Sequence, residues 1–407
     1  MHITREVANQ VYWVGGNDNR LERFENMFAL PQGVSYNSYL IVDEKTVLLD
    51  TVDRAISEQY LENIAGVLKG RPLDYLVINH MESDHCANIE AILRLHPEVT
   101  VVGNKKTFDF FSQYYKSDLS KNSLVVKEGD TLNIGKHTLK LYMAPMVHWP
   151  EVMFTFEESQ GILFSADAFG SFGLLRGNLF ADEVDWPSLF LDETRRYYAN
   201  IVGRYGSQVQ AIFKRLPLDK IKMIFPLHGP LWRKDLEIIL SLYNKWSTYT
   251  PEKRGVVLAY ASMYGNTEHV VFALANKLAQ RGVKDIRIWD VSKSEPSFIV
   301  SDLFKYSHFV FASPTYNMHL YLPFESLLRE LALLNYQKRR GVLIGNHTWA
   351  SAAIKTMQGL LGQMKEIEVL GEPLDILSSL KAEREGELDA LATLLSEDIL
   401  KSSANGE

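Results

Sequence analysis

The sequence contains a single cysteine, Cys86, among 407 residues. No internal disulfide can form, and zinc sites or iron–sulfur clusters built on several thiolates are excluded. Any metal ion must therefore be held by histidine, aspartate and glutamate side chains. For Cys86 itself, the sequence favours a small buried residue that opens a helix over a metal ligand.

The sequence also lacks an excess of positive charge, because 43 lysines and arginines face 50 aspartates and glutamates and give a net charge of −7. Nucleic acid is a poor partner for such a chain, since the phosphate backbone needs a basic surface. No stretch approaches the roughly 18 apolar residues of a membrane-spanning helix, and no apolar segment follows the first charged residues. We therefore expect a cytoplasmic protein that has no membrane partner.

At roughly 150 residues for each domain, the length predicts two or three domains, of which two is the simpler organisation. Up to about residue 245, short β-type runs alternate with turns and a few helices. Residues 38–42 and 46–50, for example, flank a polar turn and predict a hairpin. The polar segment 245–254 is the predicted boundary, which gives domains at 1–250 and 254–400.

From Gly255 onward, the pattern changes to apolar strand-like runs that alternate with helical stretches. Residues 256–260 precede a predicted helix that ends near Gln280, and further strand-like runs lie at 286–289, 309–312 and 342–344. Such alternation predicts a parallel sheet wound on both faces. The second domain is thus expected to be α/β, whereas the first reads as α+β.

Four ligand-type side chains stand close together between a predicted strand and a predicted helix: His80, Glu82, Asp84 and His85. Alternate residues on extended backbone point the same way, so His80, Glu82 and Asp84 are expected to converge. A strand end followed by a helix also holds side chains rigidly. This motif predicts part of a metal site.

Three further ligand-type residues each follow a β-like run, namely His148, Asp167 and His228. Taken singly, each histidine could equally be a hydrogen-bonded structural residue. Taken together, the seven residues make a full two-metal set, in which a bridging carboxylate such as Asp167 would offset the repulsion between two cations.

The order of these motifs resembles the metallo-β-lactamase-like fold, an αβ/βα sandwich with a dinuclear site on one edge. Zinc hydrolases of that fold carry His-x-His-x-Asp-His, but this chain has Glu82 at the second histidine position. A carboxylate is harder and more anionic than an imidazole, so it favours iron. Within the fold, His-x-Glu-x-Asp-His resembles the signature of flavodiiron proteins, also called A-type flavoproteins or rubredoxin:oxygen oxidoreductases.

The resemblance implies a ligand set for two non-haem irons. One iron would be held by His80, Glu82 and His148. The other would be held by Asp84, His85 and His228, with Asp167 bridging the pair. Some members of the family turn the side chain at the His85 position away from the metal, so two orientations are open there.

A second motif, Ser262 to Thr267, follows the first strand of the second domain. Hydroxyls and backbone N–H groups at a helix N-terminus form a phosphate cradle, and Gly265 permits close backbone approach. The loop is neither a nucleoside triphosphate loop nor a dinucleotide fingerprint. It resembles the flavodoxin loop Ser/Thr-x-x-Gly-x-Thr, which binds the monophosphate of FMN, and so implies a doubly wound, flavodoxin-like second domain.

Two more loops at predicted strand ends lie where ligands bind in doubly wound sheets. Trp349 could stack on the flavin ring or could be a packing residue. Relatives often show Tyr and Gly where this chain has His347 and Thr348, which leaves the hydrogen bonds near the flavin open. The expected FMN-binding residues are Ser262, Met263, Tyr264, Gly265, Asn266, Thr267, Pro314, Thr315, Tyr316, Asn317, Asn346, His347, Thr348 and Trp349.

The resemblance covers almost the whole chain and implies an oxidoreductase that reduces oxygen to water, nitric oxide to nitrous oxide, or both. No catalytic residue beyond the metal ligands is indicated. Longer relatives append a rubredoxin or flavin reductase domain, which is not found here, so a separate rubredoxin or reductase is expected to supply electrons. The family also implies a head-to-tail homodimer or a dimer of such dimers.

Two other functions are compatible with parts of the sequence. One is a zinc hydrolase of the same fold joined to a flavodoxin module, and Glu82 argues against it. The other is an electron carrier whose metal site is purely structural. The sequence indicates no preference between oxygen and nitric oxide, because the residues that would tune it are not ligands.

Overall fold

The structure, a computed structural model, describes residues 2–401 and separates the chain into two units, Met1–Asn244 and Lys245–Glu407. The first strand of the second unit begins at Lys253. This lies between the two predicted domains, 1–250 and 254–400, whose exact limits remain a prediction.

The first unit is built largely from short strands. They are β1 (Arg5–Ala8), β2 (Val11–Trp13), β3 (Gly16–Asp18), β4 (Arg23–Phe24), β5 (Phe28–Ala29), β6 (Val34–Tyr36), β7 (Tyr39–Val42), β8 (Thr46–Leu49), β9 (Tyr75–Val77), β10 (Thr100–Gly103), β11 (Ser123–Val125), β12 (Thr131–Asn133), β13 (Thr138–Met143), β14 (Met153–Glu157), β15 (Ile162–Phe164) and β16 (Met223–Phe225).

These strands form two main sheets. One has the order β1-β2-β7-β8-β9-β10-β11 and the other the order β12-β13-β14-β15-β16, while β3 pairs with β6 and β4 with β5. The predicted hairpin is confirmed, because β7 and β8 run antiparallel with Tyr39 opposite Leu49. The strands β8, β9 and β10 run parallel, so the ends of β8 and β9 lie at one edge of the sheet.

The core of the first unit lies between the two sheets. Tyr39 and Leu49 from one sheet share a buried cluster with Leu141 and Phe164 from the other. Each such side chain contributes about 1.5–3 kcal/mol when it is fully buried. The sandwich is therefore held mainly by apolar side chains of its two inner faces, which leaves the strand ends free to carry polar residues.

Helices complete the first unit. They are α1 (Ser57–Leu68), α2 (Ser83–Cys86), α3 (Ile89–Leu95), α4 (Lys105–Tyr114), α5 (Trp186–Leu189), α6 (Leu191–Tyr197), α7 (Gly206–Phe213) and α8 (Leu236–Ser247), the last of which reaches into the second unit. Single 3-10 or π turns cover Arg54–Ile56, Ala181–Glu183, Tyr198–Val202 and Gly203–Tyr205.

In the second unit, strands and helices alternate. The strands are β17 (Lys253–Tyr260), β18 (Ile286–Asp290), β19 (Tyr306–Tyr316), β20 (His319–Leu320), β21 (Arg339–His347), β22 (Ile367–Val369) and β23 (Leu374–Leu377). The helices are α9 (Asn266–Gln280), α10 (Pro296–Lys305), α11 (Leu322–Leu333), α12 (Ala353–Leu361) and α13 (Glu385–Leu400), with a 3-10 turn at Ala382–Arg384.

The sheet of the second unit has the order β18-β17-β19-β21-β22, in which all neighbours run parallel. Val256 and Leu258 of β17 pack against Leu274 of α9 and Leu395 of α13. The residue between them on the strand, Val257, is also buried. Both faces of the sheet are thus covered, which confirms the doubly wound architecture. The fold class predicted from the sequence is confirmed for both units.

Candidate metal centre and flavin cleft

Each of the four segments that carry the predicted metal ligands begins at the end of a strand, a few residues before the first ligand. His80 follows β9, Asp167 follows β15 and His228 follows β16, each by three residues, while His148 follows β13 after a longer turn. The sheets hold the strands, and the loops that leave them bring the polar side chains together. The site is therefore assembled at one edge of the sandwich from both sheets.

The structure brings all seven predicted metal ligands into two adjoining groups. Within each group, the ligand atoms lie within 4.8 Å of one another. The first group contains His80, Glu82, His148 and Asp167, and the second contains Asp84, His85 and His228.

The first motif is divided between the two groups. His80 and Glu82 belong to the first group, whereas Asp84 belongs to the second, which is the division that the family resemblance implies. The reason is local, because the chain is extended at Glu82 and turns into helix α2 at Ser83. A helical turn rotates the next side chain by about 100°, which directs Asp84 and His85 to the second group.

Asp167 lies between the two groups and offers one oxygen to each. Its Oδ2 is 3.1 Å from His148 Nε2 and 3.3 Å from His80 Nε2. Its Oδ1 is 3.0 Å from His85 Nε2 and 3.6 Å from His228 Nε2. This carboxylate is fully buried and lies within 3.6 Å of an imidazole nitrogen on each side.

The cluster holds strong negative charge in a buried place. Burial alone would lower the pKa of His85, yet the carboxylates of Asp84 and Asp167 outweigh it and raise the value to about 9. The pKa of His148 is raised to about 9 in the same way, against burial, by Asp167 and Glu82. Positive charge is thus stabilised at these positions, and metal ions would compete with protons for it.

Two buried carboxylates that the sequence analysis missed support His80. Glu151 Oε1 lies 2.7 Å from His80 Nδ1 and accepts a hydrogen bond from the Met81 backbone N–H at 2.8 Å. Asp50 accepts bonds from the backbone N–H groups of Asn79 and His80, at 2.7 and 3.1 Å. Glu151 lies three residues after His148, and this proximity to a predicted ligand is the feature of the sequence that could have identified it.

The second group contains two imidazoles in direct contact. His85 Nε2 lies 3.0 Å from His228 Nε2, so the His85 side chain turns toward the cluster. His228 Nδ1 lies 2.8 Å from the Ser35 carbonyl oxygen, to which it donates a hydrogen bond, and this leaves the Nε2 lone pair facing His85. Among residues 2–401, neither oxygen of Asp84 accepts a hydrogen bond. Unsatisfied buried acceptors of this kind fit a bound cation.

Aromatic rings surround the cluster and limit its contact with water. Phe24, Tyr36 and Tyr197 lie with ring centroids 5.3 to 5.6 Å from that of His228. Trp149 packs edge-on against His80 at 5.4 Å. These rings are not ligand-type residues, so no motif in the sequence marks them.

A further residue that the sequence analysis missed is Glu25, on the turn between β4 and β5. Part of this residue is exposed, and its carboxyl group interacts with that of Glu82. Burial of the carboxyl, followed by the charge of Glu82, raises the pKa of Glu25 to about 8. Glu25 has a left-handed backbone, φ +49°, which turns the loop at this point.

Cys86 lies at the end of α2, next to the cluster, but outside both groups. Its side chain is buried, and its Sγ donates a hydrogen bond to the carbonyl oxygen of Met81 at 3.3 Å. Burial raises the pKa of the thiol to about 11. These facts agree with a small buried residue.

In the second unit, the three predicted flavin loops line one cleft. All the predicted FMN-binding residues border it except Gly265, Tyr316 and Asn317, and two residues not predicted, Ala350 and Ser378, also do so. Ser378 belongs to the loop after β23, where no motif marked a ligand site. Its hydroxyl donates a hydrogen bond to Thr348 Oγ1 at 3.1 Å.

The first loop ends at the N-terminus of α9. Gly265 has φ +91°, and its N–H donates to Ser262 Oγ at 3.1 Å. No side chain caps the helix that follows, so its first backbone N–H groups remain available beside the cleft. A helix N-terminus without a capping side chain fits a phosphate group.

The other two loops are braced by their own hydrogen bonds. Thr315 Oγ1 accepts bonds from the N–H groups of Ala352 and Ala353 at the start of α12, at 3.0 and 3.1 Å. His347 Nδ1 lies 3.0 Å from the Asp375 carboxylate. Thr315 and His347 therefore have structural partners within the unit, whatever else they contact.

Two aromatic side chains at the cleft are strongly exposed. Tyr264 is 92% exposed and Trp349 is 76% exposed, and both border the cleft. Aromatic rings of this size normally bury 150–250 Å² each. Trp349 is therefore not a packing residue within its own unit, which favours the alternative in which it stacks on a ligand.

Among residues 2–401, no helix is both long and apolar enough to span a bilayer. The longest helix, α13, has sixteen residues and carries several charges. Spanning helices need about 20 apolar residues.

Fold and site together define a class of protein. A metallo-β-lactamase-like sandwich carries a carboxylate-rich cluster of two side-chain groups that could each hold a metal ion, and a flavodoxin-like unit follows it in the same chain. The family model described as "ODP family beta lactamase" matches residues 34–229, the part of the chain that contains all seven metal-ligand candidates.

Known proteins resemble the chain over nearly its full length. A nitric oxide reductase of Moorella thermoacetica is 32% identical over 370 residues, which are 90% of this chain and 91% of the relative. The solved structure of rubredoxin oxygen:oxidoreductase from Desulfovibrio gigas matches with a TM-score of 0.92 and 25% identity, covering 99% of this chain and 100% of the other. The flavodiiron protein of Giardia intestinalis matches with a TM-score of 0.91 and 25% identity, covering 98% and 97%.

The chain belongs to the flavodiiron protein family. It is an oxidoreductase, and the family resemblance stated from the His80 to His85 motif is confirmed.

Proposed function

We propose that this protein uses a diiron centre and FMN to reduce oxygen to water, nitric oxide to nitrous oxide, or both, and so protects against oxidative or nitrosative stress. The observation that carries this proposal is the buried seven-residue cluster in which Asp167 offers one oxygen to each group. The names of the related proteins support both gases as substrates.

The proposed ligands divide as the two groups do. His80, Glu82 and His148 would hold one iron. Asp84, His85 and His228 would hold the other, and Asp167 would be shared between the two. The orientation of His85 Nε2, 3.0 Å from His228 Nε2, supports His85 as a ligand rather than a residue turned away.

The chemistry of the donors fits iron. Three carboxylates and four imidazoles offer hard oxygen and intermediate nitrogen donors. Glu82, Asp84 and Asp167 together offset three of the four positive charges of two divalent ions, which lowers the repulsion between them. A hydrolytic zinc site is favoured by fewer anionic ligands, because a Lewis acid needs residual positive charge.

The flavin cleft fits FMN. The uncapped N-terminus of α9 and the hydroxyls of Ser262 and Thr267 would hold the phosphate, and Trp349 would stack on the ring. The domain that we propose for the iron centre is 1–250, and the one for FMN is 254–400. The remaining predicted flavin residues line or adjoin the same cleft.

When bound, two ferrous ions and FMN supply up to four electrons, which suffice to reduce oxygen to water or to couple two molecules of nitric oxide. The protein itself orients the ligands and excludes water. The Ser35 carbonyl fixes the proton of His228 on Nδ1, and Glu151 does the same for His80, so both Nε2 atoms face the centre. Tyr36, Trp149 and neighbouring rings shield it from bulk solvent.

Electrons would come from a separate carrier, such as a rubredoxin or another reductase. The name of the Desulfovibrio gigas neighbour, rubredoxin oxygen:oxidoreductase, supports rubredoxin as a donor. Reduced rubredoxin is therefore the first donor to try in the assays below.

Metal analysis and gas consumption test the proposal together. Protein purified from medium that contains both iron and zinc should hold close to two irons per chain. With reduced rubredoxin as donor, it should consume oxygen or nitric oxide steadily, and electrodes for the two gases would measure the preference. A preparation that is fully active with zinc alone, or that reduces neither gas, would contradict the proposal.

Glu82→His sharpens the same test. This change creates the His-x-His-x-Asp-His pattern of zinc hydrolases, so iron content should fall and gas reduction should be lost. The bound flavin should stay, because its cleft lies in the other unit. Glu98→His, at an exposed position between α3 and β10, is the matched control and should change nothing.

We also propose that the working unit is a head-to-tail homodimer, alone or paired into a dimer of dimers, in which the FMN of one chain serves the diiron centre of the other. The basis is the family, in which the two cofactors meet across the dimer. A two-fold dimer creates two equivalent composite sites from one type of contact.

Mixing two inactive variants tests the dimer. One variant lacks iron through changes at Glu82 and Asp84, and the other lacks FMN through changes at Ser262, Gly265 and Thr267. Mixed dimers should regain one working site, once subunit exchange has been demonstrated. No recovery after verified exchange, or full activity of a verified monomer, would refute the arrangement.

A further inference from the structure

The imidazoles of the metal cluster differ in what lies behind them. Each of His80, His85 and His228 directs Nε2 toward the cluster and Nδ1 away from it. Behind His80 is the Glu151 carboxylate, at 2.7 Å. Behind His228 is the neutral Ser35 carbonyl, at 2.8 Å. His85 Nδ1 is buried and has no hydrogen-bond partner among residues 2–401.

Glu151 is well placed to hold His80 firmly. The carboxylate is fully buried, and it is fixed by the Met81 N–H at 2.8 Å as well as by the imidazole. A negative acceptor behind an imidazole raises the basicity of the nitrogen that faces the metal and locks the ring orientation. A neutral carbonyl has a weaker effect on basicity, and an unsupported Nδ1 has none.

The contacts behind the imidazoles, on the side away from the cluster, therefore differ between the two groups. The group of His80, Glu82 and His148 receives an additional buried negative charge from Glu151. In the group of Asp84, His85 and His228, the only hydrogen-bond acceptor behind an imidazole among residues 2–401 is the Ser35 carbonyl, and both oxygens of Asp84 lack hydrogen-bond donors. The buried Asp50 carboxylate acts on His85 by charge, but no hydrogen bond joins it to the His85 ring. Only the first group therefore combines a buried charge with a hydrogen bond that fixes the ring.

We propose that the two metal positions differ in their affinity for a metal ion, and that Glu151 is the positioning residue that makes the His80 position bind more tightly. The position formed by Asp84, His85 and His228 fills last and empties first. This inference rests on the proposed two-metal site and adds an order of loading to it.

Release of ferrous iron from the purified holoprotein tests the inference. Under anaerobic conditions, an excess of a coloured ferrous chelator should remove the two ions in two separate phases of equal amplitude. Fewer than two ions per chain would count against the proposed function itself. Two ions that leave at one common rate would overturn only the inference that the two positions differ in affinity.

Glu151→Gln assigns the slow phase. Glutamine keeps the acceptor oxygen and the shape but removes the charge, so the slow phase should accelerate about 10–100-fold while the fast phase changes little. Glu157→Gln is the matched control. Glu157 is another fully buried carboxylate of the same unit, 3.0 Å from His137 Nδ1, and neither residue belongs to the metal groups.

Unchanged release in a folded Glu151→Gln protein would overturn the inference. Equal acceleration of both phases would also overturn it, because that result indicates a general destabilisation of the cluster rather than a local effect at the His80 position. Flavin content and far-ultraviolet circular dichroism establish that the variant is folded.

A second measurement keeps the wild-type Glu151 and so does not depend on folding of the variant. One equivalent of ferrous iron is added to protein from which metal has been removed, in the Glu82→Ala and Asp84→Ala variants. Affinity for this first ion should fall strongly in Glu82→Ala and much less in Asp84→Ala. Equal losses, or the reverse order, would refute the proposed order of loading.

Discussion

The two sites of this protein are built in opposite ways. In the first unit, His80 and Asp167 are completely buried, and their contacts are side chain to side chain across loops from two sheets. In the second unit, Tyr264 and Trp349 are 92% and 76% exposed, and the cleft relies on the backbone at the start of one helix.

The difference follows from the ligands that each site suits. Metal ions need several anionic or basic side chains at fixed distances, and burial strengthens their interaction. A flavin phosphate needs unpaired backbone N–H groups, and its ring needs an accessible aromatic face. Substitutions should therefore act through charge in the first unit and through backbone shape or stacking in the second.

The largest effect is expected from Asp167→Asn. This change keeps the shape of the side chain but removes the charge that both groups share. We expect both metal ions to be lost and gas reduction to fall by at least about 100-fold, in line with the loss of a buried charge partner. Metal analysis and an oxygen electrode measure these effects.

Retention of FMN in the same Asp167→Asn protein is the internal control, because the cleft lies in the other unit. Loss of only one metal ion would show that the carboxylate does not bridge. The two groups of the first unit would then hold their ions independently rather than through a shared charge.

A smaller effect is expected from Gly265→Val. The backbone here has φ +91°, which costs an L-residue about 1–2 kcal/mol. A new Cβ would meet nothing closer than 4.0 Å. FMN should therefore bind about tenfold more weakly, as measured by fluorescence titration of the flavin-free protein. Iron content should not change.

Gly265→Asn is the matched variant, because asparagine tolerates the left-handed region better than valine. It should retain most of the affinity for FMN. An equal loss in both variants would mean that side-chain bulk matters, rather than backbone conformation.

Trp349→Ala should have a still smaller effect. Loss of ring stacking is worth about 0.5–1.5 kcal/mol, so we expect FMN to bind about fivefold more weakly, with the iron content unchanged. Phe272→Ala is the control, because Phe272 is half-exposed but does not border the cleft. Unaltered flavin affinity and reduction potential in Trp349→Ala would leave this residue without a role in the site.

The smallest effect concerns a carboxyl group in the second unit that binds no ligand. Burial, and then the charge of Glu295, raises the pKa of Glu330 to about 7. The folded state favours the protonated form of Glu330. The contribution of this group to the free energy of unfolding is therefore highest below about pH 4.5 and falls as the pH rises toward 7. Glu330→Gln should therefore stabilise the unit at pH 8, on the order of 1 kcal/mol, and have little effect at pH 5.

Thermal unfolding at the two pH values measures the Glu330 effect. Glu372→Gln, at an exposed position of the same unit, is the control and should change the melting temperature little. A gain in stability for Glu330→Gln that is equal at pH 5 and pH 8 would exclude ionisation as its cause.

Much of the fold could be predicted from the sequence, because its signals are local. The hairpin of β7 and β8, the alternation from β17 onward and the loop before α9 all follow from hydrophobic period and turn residues. The position of Asp84 could not be predicted in the same way. It depends on a helix that begins one residue earlier, and element limits are the weakest part of any sequence-based interpretation.

The sequence by itself determined which residues could hold metal ions, since only one cysteine is present and each ligand candidate follows an apolar run. It also determined the family, through Glu82. Only the tertiary structure decided which groups stand behind those ligands. Glu151 lies 71 residues from His80 along the chain, and Ser35 lies 193 from His228. Contacts at such separations arise from the packing of two sheets, and no local pattern encodes them.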